Sequence, residues 1–258
     1  MMDKDEVRKY TDRIGFLATQ LDSQDYEIKD LNKKLEYRLL VLSSPTMGTN
    51  KLKLTDIIDL ALLQELQDKF ADAFHLASLI YDEHGEPITE PHSFSEFCTL
   101  LRSTTLGMKR CARSKAAHHK LAAEAKGPVL YSCGNFHELL DCTIPLYIDN
   151  RHVASWACGQ RIEKPVNENR VRTYASEIGL DPDELLNASK LLHVGTAEDF
   201  KLAMDALNAV CKALGLLGLQ NIQQARTINK LKDTEDKYNK LYKKFTGAIT
   251  SPSKKQTN

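Results

Sequence analysis

The sequence lacks a net charge. Its 35 basic and 35 acidic residues cancel, so the chain as a whole is not an obvious polyanion binder. It lacks any run of about 18 uninterrupted apolar residues, so no membrane-spanning helix is expected. The best candidate, Ala206 to Leu219, contains Asn208, Lys212, Gly215 and Gly218. No apolar leader follows the first residues, which read MMDKDEVRKY, and a cytoplasmic location is expected. G-x-S-x-G, G-x-G-x-x-G, a P-loop and H-E-x-x-H are all missing, so an enzyme is not expected. No C-x-x-C pair occurs among the six cysteines. In a reducing compartment these are core thiols, metal ligands or redox groups rather than disulfides.

What is present is length, a core and two heptad patterns. At 258 residues the chain suits one domain with extensions, or two small ones. Hydrophobic residues make up 42%, enough for a real core, and charged residues 27%, which points to solvated helices. Residues 226–258 hold nine basic and three acidic residues, a local net of +6 that reads as a solvated helix end. Nucleic acid is not an expected partner. In residues 1–44, Ile14, Leu21, Ile28, Leu35 and Leu42 occupy a positions, and Leu17, Gln24, Leu31 and Arg38 occupy d positions. Such a stripe needs a partner helix and predicts a short coiled coil. A second heptad is expected over 216–246, through Leu217, Ile228, Leu231, Tyr238, Tyr242 and Phe245. A Ser/Pro/Gly-rich linker is expected over 45–52 and a disordered tail over 247–258.

Residues 53–215 read as a compact α/β unit with a helical extension. Thr55 or Asp56 can cap an opening helix. Strands are expected over 75–81, 129–133, 139–148 and 152–162, and helices over 94–101 and 106–126. Asp181-Pro182 is a helix start. From 196 to 245 one long helix is possible, with Gly215 and Gly218 as a potential bend. The order of elements is PAS-like: an antiparallel sheet with helices on one face, enclosing a small pocket and flanked by N- and C-terminal coiled-coil helices.

Cys98, Cys111 and Cys133 stand out chemically. Thiolates from separate elements can converge on zinc or iron, with His137, His92 or Cys158 as a fourth ligand. Their spacings are long, and buried neutral thiols are the alternative. Cys142 and Cys211 read as core. Tyr131, Asp141, Trp156 and Gln160 fall on strands that face either a cavity or its reverse side. On a regular strand Trp156, Cys158 and Gln160 share one face.

Residues 56–164 also resemble a known family. The stretches that carry the resemblance are IIDLALLQELQDKFADAFHLASLIYDEHGEPITEP, FCTLLRSTTLGMKRCARS and YSCGNFHELLDCTIPLYIDNRHVASWACGQ. They resemble the PocR sensory domain at Cys98, Arg102, Cys111, Ser114, Tyr131, Cys133, Pro145, Gly159 and Gln160. Two departures stand out: Gly134-Asn135-Phe136-His137 replaces a His-x-Gly-Leu run, and Cys158 stands where glycine is common. The resemblance implies a PAS-variant fold in a bacterial signalling protein that binds a small molecule such as a simple diol. Tyr131, Trp156, Gln160, Arg102 and Asp141 are then the expected ligand contacts. Cys98, Cys111, Cys133 and His137 are the expected metal set, with a homodimer through the coils and a separate signalling partner.

Overall fold

The computed structural model describes residues 4–43 and 52–250, which form two compact units. One unit comprises 1–48 with 223–258, the other 49–222.

In the first unit, α1 (Lys4–Ser43) is a single uninterrupted helix. Its heptad residues Ile14, Leu17, Leu21, Ile28, Leu31 and Leu35 are all exposed. The same is true of Ile228, Leu231, Tyr238, Tyr242 and Phe245 on the last helix. The linker expected over 45–52 lies outside the described residues except for Leu52, which is buried. The last helix includes residues 247–250 of the expected tail, and the remainder lies outside the described residues.

The second unit opens with a short turn, α2 (Leu54–Ile57), and then α3 (Leu60–Phe74). The backbone at Ile58 is extended, so the long opening helix starts later than Thr55 or Asp56. Its cap is Asp59, whose carboxylate accepts from Ala61 N at 2.9 Å. Then come β1 (Ala77–Asp82), α4 (Glu96–Ser103) and α5 (Thr105–Ala125). Ser95 caps α4 and Thr104 caps α5 through their side chains. β2 (Val129–Ser132), β3 (Leu140–Ile148) and β4 (Arg151–Ile162) follow. Two short helices, α6 (Glu168–Ile178) and α7 (Pro182–Ser189), lead through β5 (His193–Val194) to α8 (Ala197–Thr250). Asp181 caps α7 with Pro182 in its first turn, as expected.

The sheet runs β1-β4-β3-β2, antiparallel throughout, with β5 added parallel to the end of β4. This mixed architecture, with long helices at both ends, is the expected class. Helices nevertheless cover both faces of the sheet, not one. On one face α5 packs over β2, β3 and β4. On the other, Phe70 of α3 meets Trp156 edge-on with ring centroids 6.0 Å apart. The proximal part of α8 lies on that second face as well.

Gly215 and Gly218 explain how α8 gets there. The helix runs through both without a break. A Cβ on Gly215 would stand 2.3 Å from the Tyr147 carbonyl oxygen, and one on Gly218 would stand 2.5 Å from Ile148 Cδ1. The glycines let the helix backbone press onto β3. One 18-residue stretch of α8 reaches a mean hydropathy of 1.5, long and apolar enough by composition to cross a membrane. In this fold its buried residues, among them Ala203, Leu207 and Cys211, close the core instead. Gly215→Ala therefore sets two effects against each other. Alanine improves helix propensity by about 1 kcal/mol, while forcing a methyl into this contact costs about 1–3 kcal/mol. We expect a net loss, read as a lower Tm in thermal unfolding; a raised Tm would show that α8 does not press on β3.

Candidate ligand-binding site

Strand alternation divides the sheet's residues between its two faces. Leu79 pairs with Ala157 and Ala157 with Thr143, while Ala77 and Asp141 both pair with Gly159. These residues share the face under α4 and α5, together with Tyr81 and Tyr131. Between that face and the two helices lies an inner chamber of about 50 Å³. It continues into an outer chamber of about 430 Å³, with Tyr81, Arg102, Cys111, Lys115 and Tyr131 common to both walls.

Tyr131, Gln160, Arg102 and Asp141, all expected ligand contacts, line the inner chamber. Trp156 does not. It is 1% exposed on the opposite face, where its indole donates to Ser78 Oγ at 2.7 Å. Regular alternation would put Gln160 beside it, but the register slips between Leu140 and Asp141. Gly159 pairs with Asp141 and Arg161 with Leu140, leaving Gln160 as the extra residue of a bulge at φ 65°. The bulge turns Gln160 to the cavity side. There Oε1 accepts from Ser95 N at 2.7 Å and Ser95 Oγ at 2.8 Å, tying β4 to the start of α4.

Asp141 is a half-buried acid in the cavity wall. Its Oδ1 accepts from Gln160 N at 2.9 Å. A Cβ on Gly159 would stand 1.9 Å from that oxygen, so only glycine admits the carboxyl here. Burial pushes Asp141 up from the usual carboxylate range, against the Gln160 amide, Lys115 and His118, which pull it down. Burial likewise pushes the Lys115 ammonium down. Lys115 donates to the Tyr81 hydroxyl and sits over the Tyr81 ring at 4.7 Å from its centroid.

Sequence reasoning missed Lys115, Tyr81 and Phe94. The signal for Lys115 was its position four residues after Cys111 on one helix, which places both on one face. The basic residues adjacent to Cys111 in sequence turn elsewhere: Arg110 pairs with Glu177, and Lys109 and Arg113 are exposed. His118 stacks on Tyr131 with ring centroids 3.4 Å apart.

Cys98, Cys111 and Cys133 all reach the inner chamber. His137 does not join them. The turn after Cys133 carries it into a separate cleft beside Asn169 and Tyr174. The turn itself is pinned by buried Asn135, whose Nδ2 donates to Gly107 O at 2.8 Å and whose Oδ1 accepts from the Tyr174 hydroxyl at 2.7 Å. Among the described residues, no three His, Cys, Asp or Glu side chains are grouped so that they could hold a metal ion. Of the expected metal set, the three cysteines share one chamber wall and His137 stands apart from them. Cys98 and Cys133 belong to the apolar core with Phe97, Leu101 and Phe136.

A family described as the sensory domain found in PocR matches residues 56–219. The chain belongs to the PocR sensory-domain family. Of the motif residues quoted for the resemblance, all but Ser114 and Pro145 line the inner chamber. Ser114 accepts from Gly134 N at 3.1 Å and so holds the PocR domain's thiol-bearing turn against α5. The regulatory protein PocR of Salmonella typhimurium (strain LT2) is 28% identical over 177 residues, covering 66% of this chain and 57% of the relative. The chain thus spans little more than half the length of that relative. Among solved structures, the E. coli DhaR(N)-DhaL complex contains a chain of 13% identity and TM-score 0.35, covering 69% of this chain and 57% of that one.

The thiols of the PocR domain make a direct prediction. Burial pushes Cys98 up, and pushes Cys133 up to about 11. For Cys133 that leaves about a hundredfold less thiolate at pH 8 than an ordinary thiol holds. Folded protein treated with iodoacetamide at pH 8 should leave Cys98 and Cys133 unmodified by peptide mass mapping, while the urea-unfolded chain labels at both. Free-thiol rates at Cys133 in the folded state would contradict the closed wall described here.

Proposed function

We propose that this chain is a ligand sensor. A small polar organic molecule, of the diol class that the family resemblance implies, occupies the chamber under α4 and α5, and α8 carries the response. The observation that supports this reading is the chamber itself: an apolar body with a few placed polar groups, Asp141, Gln160, Arg102 and Lys115, converging on it. A sealed structural core does not keep such groups facing an open space.

The route to α8 is one strand thick. Asp141 faces the chamber, and its neighbour Cys142 faces the other side of the sheet. There Cys142 and Cys158 stand directly opposite with their sulfurs 3.2 Å apart. Cys211 of α8 is buried against the same pair. A ligand that shifts β3 against β4 changes the surface on which α8 lies, provided that it binds the two arrangements with different affinity.

The exposed heptad stripes of α1 and distal α8 are the output. We assign the α1 stripe to a second copy of this chain, since apolar a and d residues over several heptads are self-complementary in a parallel pair. A downstream signalling partner then reads the paired helices.

Two measurements check this. Propane-1,2-diol, propane-1,3-diol and short aldehydes should raise the Tm of the intact chain saturably for at least one compound; a flat response across the panel would sink the sensor reading. Light scattering should give twice the 29.1 kDa chain mass, and the double change Leu21→Asp, Ile28→Asp should halve it. A wild-type monomer at tens of micromolar would sink the pairing.

A further inference from the structure

The chamber wall carries more positive charge than a neutral ligand needs. Arg102 and Lys115 both line the inner and the outer chamber. Among the described residues neither forms an ion pair, whereas Arg110, Arg151, Arg161 and Arg172 each have an acidic partner. The two cations also converge. The Arg102 guanidinium carbon lies 5.2 Å and the Lys115 nitrogen 5.6 Å from the centroid of one ring, Phe94. Two like charges held over one aromatic ring, both partly shielded from water, repel each other, and an anion bound to both relieves that repulsion. The cavity's own acid, Asp141, does not fill that place. It forms no ion pair with either cation, and its Oδ1 is committed to Gln160 N.

We infer that the ligand carries a carboxylate, seated on Arg102 and Lys115, and a hydroxyl that reaches Asp141 and Gln160: a short hydroxy acid rather than a neutral diol. The inference rests on the sensor reading above and narrows its ligand class. A planar carboxylate suits the forked donors of an arginine. Burial pushes Asp141 toward its protonated form, which can donate a hydrogen bond to an anionic ligand instead of repelling it. Size sets the upper limit. One water needs about 10–15 Å³ of such space, and the inner chamber holds about 50 Å³. A molecule of a few heavy atoms fits there, with its charged end toward the outer chamber that the two cations also line.

The test compares 2-hydroxypropanoate with propane-1,2-diol by titration calorimetry on the intact chain. The two share a three-carbon skeleton and differ in a carboxylate for a hydroxymethyl group. The carboxylate should bind at least about tenfold more tightly, as an added charge-assisted contact implies. Arg102→Gln should abolish that advantage. Lys115→Met, on a different helix, should reduce it independently, with circular dichroism showing both variants folded. Equal binding, or tighter binding of the diol, overturns the carboxylate assignment and leaves the sensor reading standing. So does tighter binding of inorganic phosphate than of the hydroxy acid. Unchanged carboxylate affinity in both folded variants also overturns it. If neither the acid nor any diol binds, both readings fall.

Discussion

The arrangement depends on one close approach, Asp141 against Gly159. A carboxyl group enters the space where any other residue would put a Cβ, and its oxygen takes the amide of the next residue, Gln160. That hydrogen bond holds an unusual conformation, a non-glycine residue at positive φ in the middle of a strand pair. Without the bulge, β4 would keep strict alternation and Gln160 would turn from the cavity. Ser95 would lose its acceptor, and α4 would lose the tie that fixes its first turn over the sheet. The chamber is thus a consequence of a local exception to sheet geometry, kept in place by a half-buried acid. Bulges beside functional sites re-aim side chains in this way.

The chamber and the seat of α8 share a wall. Residues of β3 and β4 that face the chamber alternate with residues that face α8, so the two packing surfaces are not independent. The cysteines illustrate this division. Cys98 and Cys133 are uncharged thiols forming part of a closed apolar wall. Cys142, Cys158 and Cys211 fill the seam on the opposite face. Thiols are small and polarizable, and they permit close contacts where a branched aliphatic side chain would not fit. Their number points to tight packing on both sides of the sheet, and does not require a metal.

Much of this was legible in the residues. The long strands, the capped helices and the heptads follow from periodicity and from Ser, Thr, Asn and Asp at helix starts. Asp141, Tyr131 and Arg102 drew notice because polar groups in an apolar strand or motif require a reason, and all three line the chamber. Trp156 was misassigned because alternation was taken as unbroken through Gln160, and one extra residue reverses the faces beyond it. His137 was misassigned because Asn135, five residues before a strand, turns the chain by long-range bonds to α5 and α6 that no local pattern encodes. Lys115 was passed over because a lysine in an Ala-rich helix reads as solvated surface until the aromatic rings that cover it are known. Gly215 and Gly218 looked like a bend because propensity describes a helix alone, and here a neighbouring strand takes up the missing volume.

The size of the chamber constrains how it can signal. Moving a two-state element from almost all one form to almost all the other needs about 5.5 kcal/mol of differential binding. A ligand of five or six heavy atoms binds with at most about 1.5 kcal/mol per atom, so its ceiling of about 7.5–9 kcal/mol leaves only about 2–3.5 kcal/mol beyond that figure. It follows that a small ligand switches this domain only if the alternative state scarcely binds it at all. The chamber must be collapsed or opened in that state, not merely adjusted. The structure shows where such a change would start. Lys115 and Arg102 are held by aromatic faces and a single hydroxyl, contacts far weaker than the packing of the sheet beneath them. In the sensor proposed above, like charge on α4 and α5 would favour splaying the two helices, and a bound anion would reverse that preference.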